Sequence, residues 1–296
     1  MEVISGFEDL EAFEVLHPAE QSVPFVFNSP HSGRHYPDAF LRASRLDKIA
    51  IRRSEDAFVD ELFQHVVPLG APLLKARFPR AYLDVNREPY ELDPKMYDDR
   101  LPSYANIRSI RVAGGLGTIA RVVGEAQEIY QGRLCVREAL TRIETIYKPY
   151  HQTLRRLLAQ THVAFGYAVL IDCHSMPSAI KTTDGGPRPD FILGDRYGTS
   201  CAAQLVDAAT EALRDMGYRV SRNKPYAGGF ITEHYGRPVK GLHALQVEIN
   251  RGLYMDETKT LKHAGFDALT QDLDRLAKAL VAVQGDCFYP DALAAE

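Results

Sequence analysis

Cysteine is scarce in this chain of 296 residues, and its distribution excludes a disulfide-stapled protein. The four cysteines lie far apart and form no Cys-x-x-Cys pair. Dispersed cysteines in a chain of this size are typical of free thiols in a reducing compartment. We therefore expect a cytoplasmic protein.

Positive charge is not in excess either, because 35 lysines and arginines are set against 39 acidic residues and the net charge is −4. This balance excludes the broad basic surface that is typical of nucleic-acid-binding and peripheral membrane proteins. No apolar run approaches the roughly 20 residues that cross a bilayer. The N-terminal sequence lacks the basic and apolar regions of a signal peptide. We expect neither a nucleic-acid partner nor a membrane partner.

Short apolar runs alternate with helical patterns along the chain. The predicted strands are 23–28, 81–85, 167–173, 190–194 and 243–249, and the predicted helices are 56–67, 134–159, 199–216 and 264–283. This alternation indicates an α/β fold with a mainly parallel sheet. The run 167–173 is the most continuous and suits a central strand that is buried on both faces.

The length alone is compatible with one or two domains. No stretch rich in Gly, Pro or Ser divides the chain, so we predict a single domain over residues 1–296. Residues 88–115 are rich in Pro, Tyr, Asp and Gly, and we expect them to form a surface excursion.

Candidate catalytic side chains lie at or near the ends of three predicted strands. His31 follows the first strand, His174 emerges from the central run, and Glu248 lies within an apolar strand. Functional groups of open α/β sheets collect beyond the carboxyl ends of the strands. Taken singly, each of these residues has a structural explanation as a hydrogen-bonded histidine or an ion-paired acid. Their common placement indicates a site.

Two neutral imidazoles and one carboxylate are a common ligand set for catalytic zinc, with the fourth position left for water. His31 and His174 supply the imidazoles, and Glu55 or Asp56 supplies the acid. Adjacent helical residues point about 100° apart, so only one of these acids faces the metal. Either acid also suits the beginning of a helix, where it complements the dipole. A second carboxylate must then move the proton from water to the leaving amine, and Glu248 is the candidate.

Several basic residues indicate that the substrate carries a carboxylate. Asn86 and Arg87 combine an amide with a guanidinium, whose fork matches a carboxylate, and Arg80 and Arg251 are further candidates. The more ordinary fate of an arginine is a surface ion pair.

Two glycine-rich segments are candidate ligand loops. Residues 114–118 lack the Gly-Lys-Ser/Thr ending of a phosphate loop, which argues against a nucleotide cofactor. Residues 228–232 predict a tight turn at a pocket wall. Either these residues or 88–115 are candidates for a lid.

The ordered set of motifs resembles the N-formylglutamate amidohydrolase family. The motifs are SPHSG at 29–33, ED at 55–56, DVNR at 84–87, GLGTI at 115–119, YKPYH at 147–151, DCHSM at 172–176, GGFIT at 228–232 and QVEINR at 246–251. They run in order over nearly the whole chain. The resemblance implies a phosphorylase/hydrolase-like three-layer α/β/α fold with a mixed sheet. It also implies hydrolysis of N-formyl-L-glutamate to formate and L-glutamate, a late step of histidine degradation.

The resemblance also implies roles for individual residues. It makes His31 and His174 zinc ligands, favours Asp56 over Glu55 as the third ligand, and makes Glu248 the general base. Asn86 and Arg87 match the substrate-carboxylate position of related carboxypeptidases. Larger relatives have a glutamate three residues after the first histidine, where this chain has Arg34.

Two other functions are compatible with the sequence. One is a related deacylase or carboxypeptidase-like amidase with a different acyl group, and the other is a non-catalytic protein that binds acidic ligands. Glu248 argues against the second, because binding alone requires no base.

Overall fold

A seven-stranded mixed sheet is the largest element of the computed structural model, which describes residues 11–179 and 188–289. The strands are β1 (Phe13–Leu16), β2 (Phe25–Ser29), β3 (Leu73–Ala76), β4 (Val122–Val123), β5 (Gln127–Glu128), β6 (Ala168–Met176), β7 (Phe191–Gly194), β8 (Val220–Arg222), β9 (Leu242–Asn250), β10 (Met255–Asp256) and β11 (Leu261–Lys262). The helices are α1 (Asp38–Ala43), α2 (Val59–Leu62), α3 (Ile110–Ala113), α4 (Val136–Arg142), α5 (Lys148–Phe165), α6 (Ala203–Asp215), α7 (Phe230–Tyr235) and α8 (Gly265–Val281).

The strand order in the large sheet is β1-β3-β2-β6-β9-β7-β8. β6 pairs in parallel with both β2 and β9, β7 pairs in parallel with β8, and β7 pairs with β9 antiparallel. The predicted α/β class with a mainly parallel mixed sheet is therefore confirmed. All nine residues of β6 are buried, as expected for a central strand that is covered on both faces.

Two compact units can be distinguished by their internal contacts. Of the described residues, 11–14, 30–57 and 75–154 form the first unit, and 15–29, 58–74, 155–179 and 188–289 form the second. The single domain expected from the sequence stays a prediction. In the part of the chain that the structure describes, no helix combines the length and hydrophobicity needed to traverse a bilayer.

In the second unit, the predicted helices 199–216 and 264–283 are confirmed as α6 and α8, with ends a few residues shorter. α8 buries leucines three or four positions apart, which form one apolar stripe, and α6 has a similar stripe. The two helices pack against each other.

The predicted helix 56–67 is shorter and irregular. It consists of α2 and a separate turn of 3-10 helix, Gln64–Val66. Phe58, directly before α2, has a φ of 65° in the left-handed region. A non-glycine residue in this region carries strain of about 1–3 kcal/mol. The hydrophobic periodicity of the sequence does not reveal such a break in a helix.

The predicted helix 134–159 begins at α4 and continues through a π-helix, Ile143–Tyr147, into α5. Pro149 lies in the first turn of α5. Its ring nitrogen donates no hydrogen bond, so the preceding turn widens into π-helix.

The strand predicted at 81–85 is wrong. The N–H groups of Tyr82 and Leu83 both donate to the Pro79 carbonyl at 2.9 and 3.3 Å, which makes a turn. A short buried apolar run does not by itself distinguish a strand from other buried backbone. The segment that carries Asn86 and Arg87 therefore follows a turn.

In the first unit, two loops are joined by backbone hydrogen bonds around Gly117. The Asp84 N–H donates to the Thr118 carbonyl at 2.8 Å, and the Thr118 N–H donates to the Glu91 carbonyl at 2.9 Å. A Cβ atom on Gly117 would lie 2.2 Å from the Glu91 carbonyl oxygen. The backbones approach so closely here that only glycine fits.

Gly117→Ala should lower the free energy of unfolding by about 1–3 kcal/mol, because a backbone carbonyl has no rotamer by which to avoid the new methyl group. Gly132→Ala is the matched control, because a Cβ at Gly132 meets nothing within 4 Å. Urea denaturation measures both variants. Equal stability of the two would contradict the close approach at Gly117.

Candidate metal centre and active site

Five polar side chains share one face of the sheet in the second unit. Asn28 of β2 pairs with Asp172 of β6, and Asp172 pairs with Gln246 of β9. Two residues further on, His174 pairs with Glu248. Residues two apart in a strand point to the same face. The three parallel strands therefore present these side chains in two adjacent rows.

Hydrogen bonds fix the imidazole of His174. The Asn28 amide Nδ2 donates to Asp172 Oδ1 at 2.8 Å, and Asp172 Oδ2 lies 2.9 Å from His174 Nε2. All three residues are buried. Because a carboxylate oxygen accepts hydrogen bonds, Asp172 orients the ring so that the Nε2–H of His174 faces it.

A second chain of hydrogen bonds fixes Glu248. The backbone N–H of Gly229 donates to Gln246 Oε1 at 2.8 Å, and Gln246 Nε2 donates to Glu248 Oε1 at 2.9 Å. A backbone N–H can bond only to the oxygen of the amide, so the NH₂ group of Gln246 must face Glu248. The segment 228–232, predicted as a turn, begins helix α7 at Phe230, and Gly229 directly before the helix bonds to the side chain that orients the candidate base.

His31 lies in the first unit, two residues after β2 ends. Its Nε2 is 2.8 Å from Asp84 Oδ1, and its Nδ1 is 3.4 Å from Asp56 Oδ2. The Asp56 backbone N–H also donates to the His31 carbonyl at 2.9 Å, which ties the two segments together. His31 therefore resembles His174 in having an aspartate at Nε2.

Asp84 is buried together with two basic neighbours. Arg80 Nε donates to Asp84 Oδ2 at 2.9 Å, and Arg87 Nη2 lies 3.7 Å from the same oxygen. Burial by itself would raise the pKa of Asp84, but Arg87, followed by His31 and Arg80, outweighs it and holds that pKa well below its usual range. Asp84 is therefore ionised and suited to accept a hydrogen bond from His31.

Three of the predicted metal ligands come together. One ligand atom from each of His31, Asp56 and His174 lies within 4.8 Å of the other two, and all three residues are buried. Such a set of two imidazoles and one carboxylate has the composition of a catalytic zinc site.

Glu55, the alternative third ligand, is bound elsewhere. Arg52 donates from Nη2 to Oε1 at 2.7 Å and from Nε to Oε2 at 2.8 Å, and the Tyr36 hydroxyl donates to Oε2 at 3.0 Å. Both carboxylate oxygens of Glu55 are thus engaged, whereas Asp56 has its carboxylate beside His31.

The predicted substrate-binding residues of the first unit lie around Asp84. The Asn86 backbone N–H donates to Asp84 Oδ1 at 2.8 Å. Arg87 donates from Nε to the Leu116 carbonyl at 2.9 Å and from Nη1 to the Asn86 carbonyl at 2.7 Å. Burial lowers the pKa of Arg87 to about 10, so the group remains cationic at neutral pH. These two bonds, together with the approach of Nη2 to Asp84, orient the Arg87 guanidinium.

Two residues of the YKPYH motif support the backbone of the same segment. The Tyr147 hydroxyl donates to the Arg87 carbonyl at 2.7 Å, and His151 Nε2 lies 2.8 Å from the Val85 carbonyl oxygen. These contacts give His151 a supporting place in the segment that holds Asn86 and Arg87.

Arg251, the remaining predicted residue, belongs to the second unit. It follows β9 and is buried, and its Nε donates to the Ser175 hydroxyl at 3.1 Å.

Sequence reasoning missed three residues that orient the predicted ones. Asp84 and Asp172 each lie at the Nε2 atom of a candidate ligand, and Gln246 lies against the candidate base. A signal was present for two of them, because Asp172 and Gln246 precede His174 and Glu248 by two residues within predicted strands. No local spacing connects Asp84 with His31.

Comparison with known proteins gives a consistent result. The family model described as N-formylglutamate amidohydrolase matches residues 23–255. An N-formylglutamate deformylase of Pseudomonas putida is 32% identical over 252 residues, which cover 83% of this chain and 87% of that protein. A second, from Pseudomonas aeruginosa, is 31% identical and covers 82% of this chain and 86% of its own length.

Solved structures agree. The crystal structure of N-formylglutamate amidohydrolase from Ralstonia eutropha JMP134 superposes with a TM-score of 0.85 at 36% identity, covering 91% of this chain and 97% of that chain. A protein from Agrobacterium tumefaciens shares the fold with a TM-score of 0.66 at 19% identity, covering 91% of this chain and 95% of that chain. By the match over 23–255 and the identity to the curated relatives, this chain belongs to the N-formylglutamate amidohydrolase family.

Proposed function

We propose that this protein hydrolyses N-formyl-L-glutamate, or a similar N-acyl acidic amino acid, to formate and L-glutamate. Family membership supports the substrate class, since the two curated relatives are N-formylglutamate deformylases. The observation that carries the proposal is the approach of His31, Asp56 and His174 to within 4.8 Å of one another. The small-molecule substrate is the partner that this function requires.

The donor set fits a divalent first-row cation, and zinc is the ion that we propose. Asp84 and Asp172 lie at Nε2 of His31 and His174, respectively. Histidine ligands commonly donate their other ring N–H to a carboxylate, which fixes the ring and raises its basicity. His31, Asp56 and His174 would hold the ion. A bound zinc ion supplies an activated water and polarises the carbonyl oxygen of the substrate.

Glu248 acts as the general base in this proposal. Its carboxylate accepts a proton from the attacking water and delivers it to the nitrogen of the leaving glutamate as the C–N bond breaks. The pairing of Glu248 with His174 across β6 and β9 supports a position beside the scissile bond. Gln246 Nε2 donates to Glu248 Oε1 at 2.9 Å, so the orientation of the Glu248 carboxylate is set before substrate binds.

The arginines position the substrate. Arg80, Arg87 and Arg251, together with the amide of Asn86, would bind the carboxylates of the amino acid. Charge-assisted hydrogen bonds of this kind are strong and directional, and they would place the scissile amide against the base.

The cellular setting is also a proposal. The four cysteines are free thiols, which supports a cytoplasmic protein. The products would then correspond to a late step of histidine degradation.

Zinc-loaded protein should release formate from N-formyl-L-glutamate faster than from N-formyl-L-leucine by roughly 10- to 100-fold, because leucine has only its α-carboxylate and lacks the side-chain carboxylate that the arginines would also bind. A formate dehydrogenase-coupled assay measures both. Faster cleavage of N-acetyl-L-glutamate would instead identify a related deacylase, and tight binding of N-formyl-L-glutamate without turnover would identify a non-catalytic binder.

His174→Ala should remove most of the bound zinc and nearly all turnover, because one imidazole ligand is lost. Asp172→Asn should lower zinc affinity by about 10- to 100-fold, because the partner that orients His174 loses its charge. His162→Ala, at a partly exposed histidine of α5, is the control and should change neither quantity. Elemental analysis measures the metal independently of activity. Full zinc retention by His174→Ala would refute the ligand role.

Glu248→Gln should lower kcat by about 10²- to 10⁴-fold with zinc content unchanged, because the base is lost while shape is kept. Gln246→Leu should lower kcat less and leave KM nearly unchanged, because the base remains but loses the hydrogen bond that orients it. Steady-state formate release separates kcat from KM, and Glu211→Gln, on the exposed face of α6, is the control. Wild-type kcat in Glu248→Gln would exclude Glu248 as the base.

A further inference from the structure

A basic cleft lies in the first unit and contains none of the proposed metal ligands, base or substrate-binding residues. Its volume is about 230 Å³. Arg45, Lys95, Arg121 and Arg133 line it, together with one acid, Glu128. Four cations around one cavity are notable in a chain whose net charge is −4. They create a local positive potential that attracts anions.

Glu128 already demonstrates that the cleft can hold a carboxylate. Its Oε2 lies 3.1 Å from Arg45 Nη1, and its Oε1 lies 3.3 Å from Arg121 Nη1. The side chain is about half exposed, at 48%. Exposed ion pairs contribute little to stability, so an anionic ligand can replace Glu128 between the two arginines at small cost.

Two of the four cations have no acidic partner among residues 11–179 and 188–289. These are Lys95 and Arg133, whose side chains make neither an ion pair nor a hydrogen bond within that part of the structure. Lys95 directly precedes Met96, and Arg133 directly precedes Leu134. The Leu134 N–H donates to the Met96 carbonyl at 2.7 Å. The two cations are therefore neighbours, and their charge is available to a ligand.

The walls of the cleft are fixed by the backbone. The Arg45 N–H donates to the Ile129 carbonyl at 2.8 Å, and Arg45 Nε donates to the Tyr130 carbonyl at 2.9 Å. The Gln131 N–H donates to the Ala43 carbonyl at 3.0 Å. Arg121 is likewise held, because its Nε donates to Asp93 Oδ2 at 2.9 Å. Little ordering is needed when a ligand binds, which favours affinity.

We propose that the basic cleft is a second ligand site, which binds a small polyanion with two phosphate or carboxylate groups. One group replaces the Glu128 carboxylate between Arg45 and Arg121, and the other binds Lys95 and Arg133. With Glu128 displaced, Asp93 offsets one of the four positive charges, so a ligand with two or three negative charges matches the three that remain.

Isothermal titration calorimetry with pyrophosphate and with citrate tests this proposal on the full-length protein at low ionic strength and at about 0.15 M salt. Arg133→Gln and Lys95→Gln should each weaken binding about tenfold. Glu128→Gln should tighten binding several-fold, because the competing carboxylate is removed. This opposite change distinguishes a built site from a general loss of positive charge.

Arg156→Gln, at an exposed arginine of α5, is the control for nonspecific charge and should bind like the wild type. Tighter binding of pyrophosphate would assign the site to phosphate compounds, and tighter binding of citrate would assign it to polycarboxylates. Absence of binding by both probes, or equal weakening by Arg133→Gln and Arg156→Gln, would overturn the proposal. Thermal unfolding verifies that each variant is folded. The outcome is independent of whether formate is released from N-formyl-L-glutamate.

Discussion

The parallel pairing of β6 with β2 and β9 is the constraint on which the candidate site in the second unit depends. It brings Asn28, Asp172 and Gln246 into one row and His174 and Glu248 into the next. Side chains of the first row orient those of the second, because Asp172 bonds to His174 and Gln246 bonds to Glu248. The sheet therefore fixes both the candidate ligand and the candidate base through backbone hydrogen bonds.

In the first unit, neighbouring positive charges determine the state of the carboxylate that contacts His31. Asp84 is buried, and an isolated carboxylate there would be neutral. Arg87 and Arg80 keep it ionised, and it can then accept a hydrogen bond from His31. The arginines thus serve the proposed metal centre through Asp84 in addition to the role proposed for them in substrate binding.

The sequence was most informative where periodicity is strong or where a functional group lies at a strand end. It predicted the central strand, α6 and α8, and it identified His31 and His174 near strand ends, where their role as metal ligands stays a prediction. It was wrong at 81–85, where an apolar run is buried in a turn. It also missed Asp84 as the partner of His31, because 53 residues separate them and only the folded backbone brings them together.

The two-residue spacing within β6 and β9 has an evolutionary consequence. Asp172 and His174 share a face only because one residue lies between them, and the same holds for Gln246 and Glu248. Insertion or deletion of a single residue in either strand would turn half of each pair towards the opposite side of the sheet. Length changes during divergence should therefore be confined to the connecting loops, which leaves these two strands as ungapped segments.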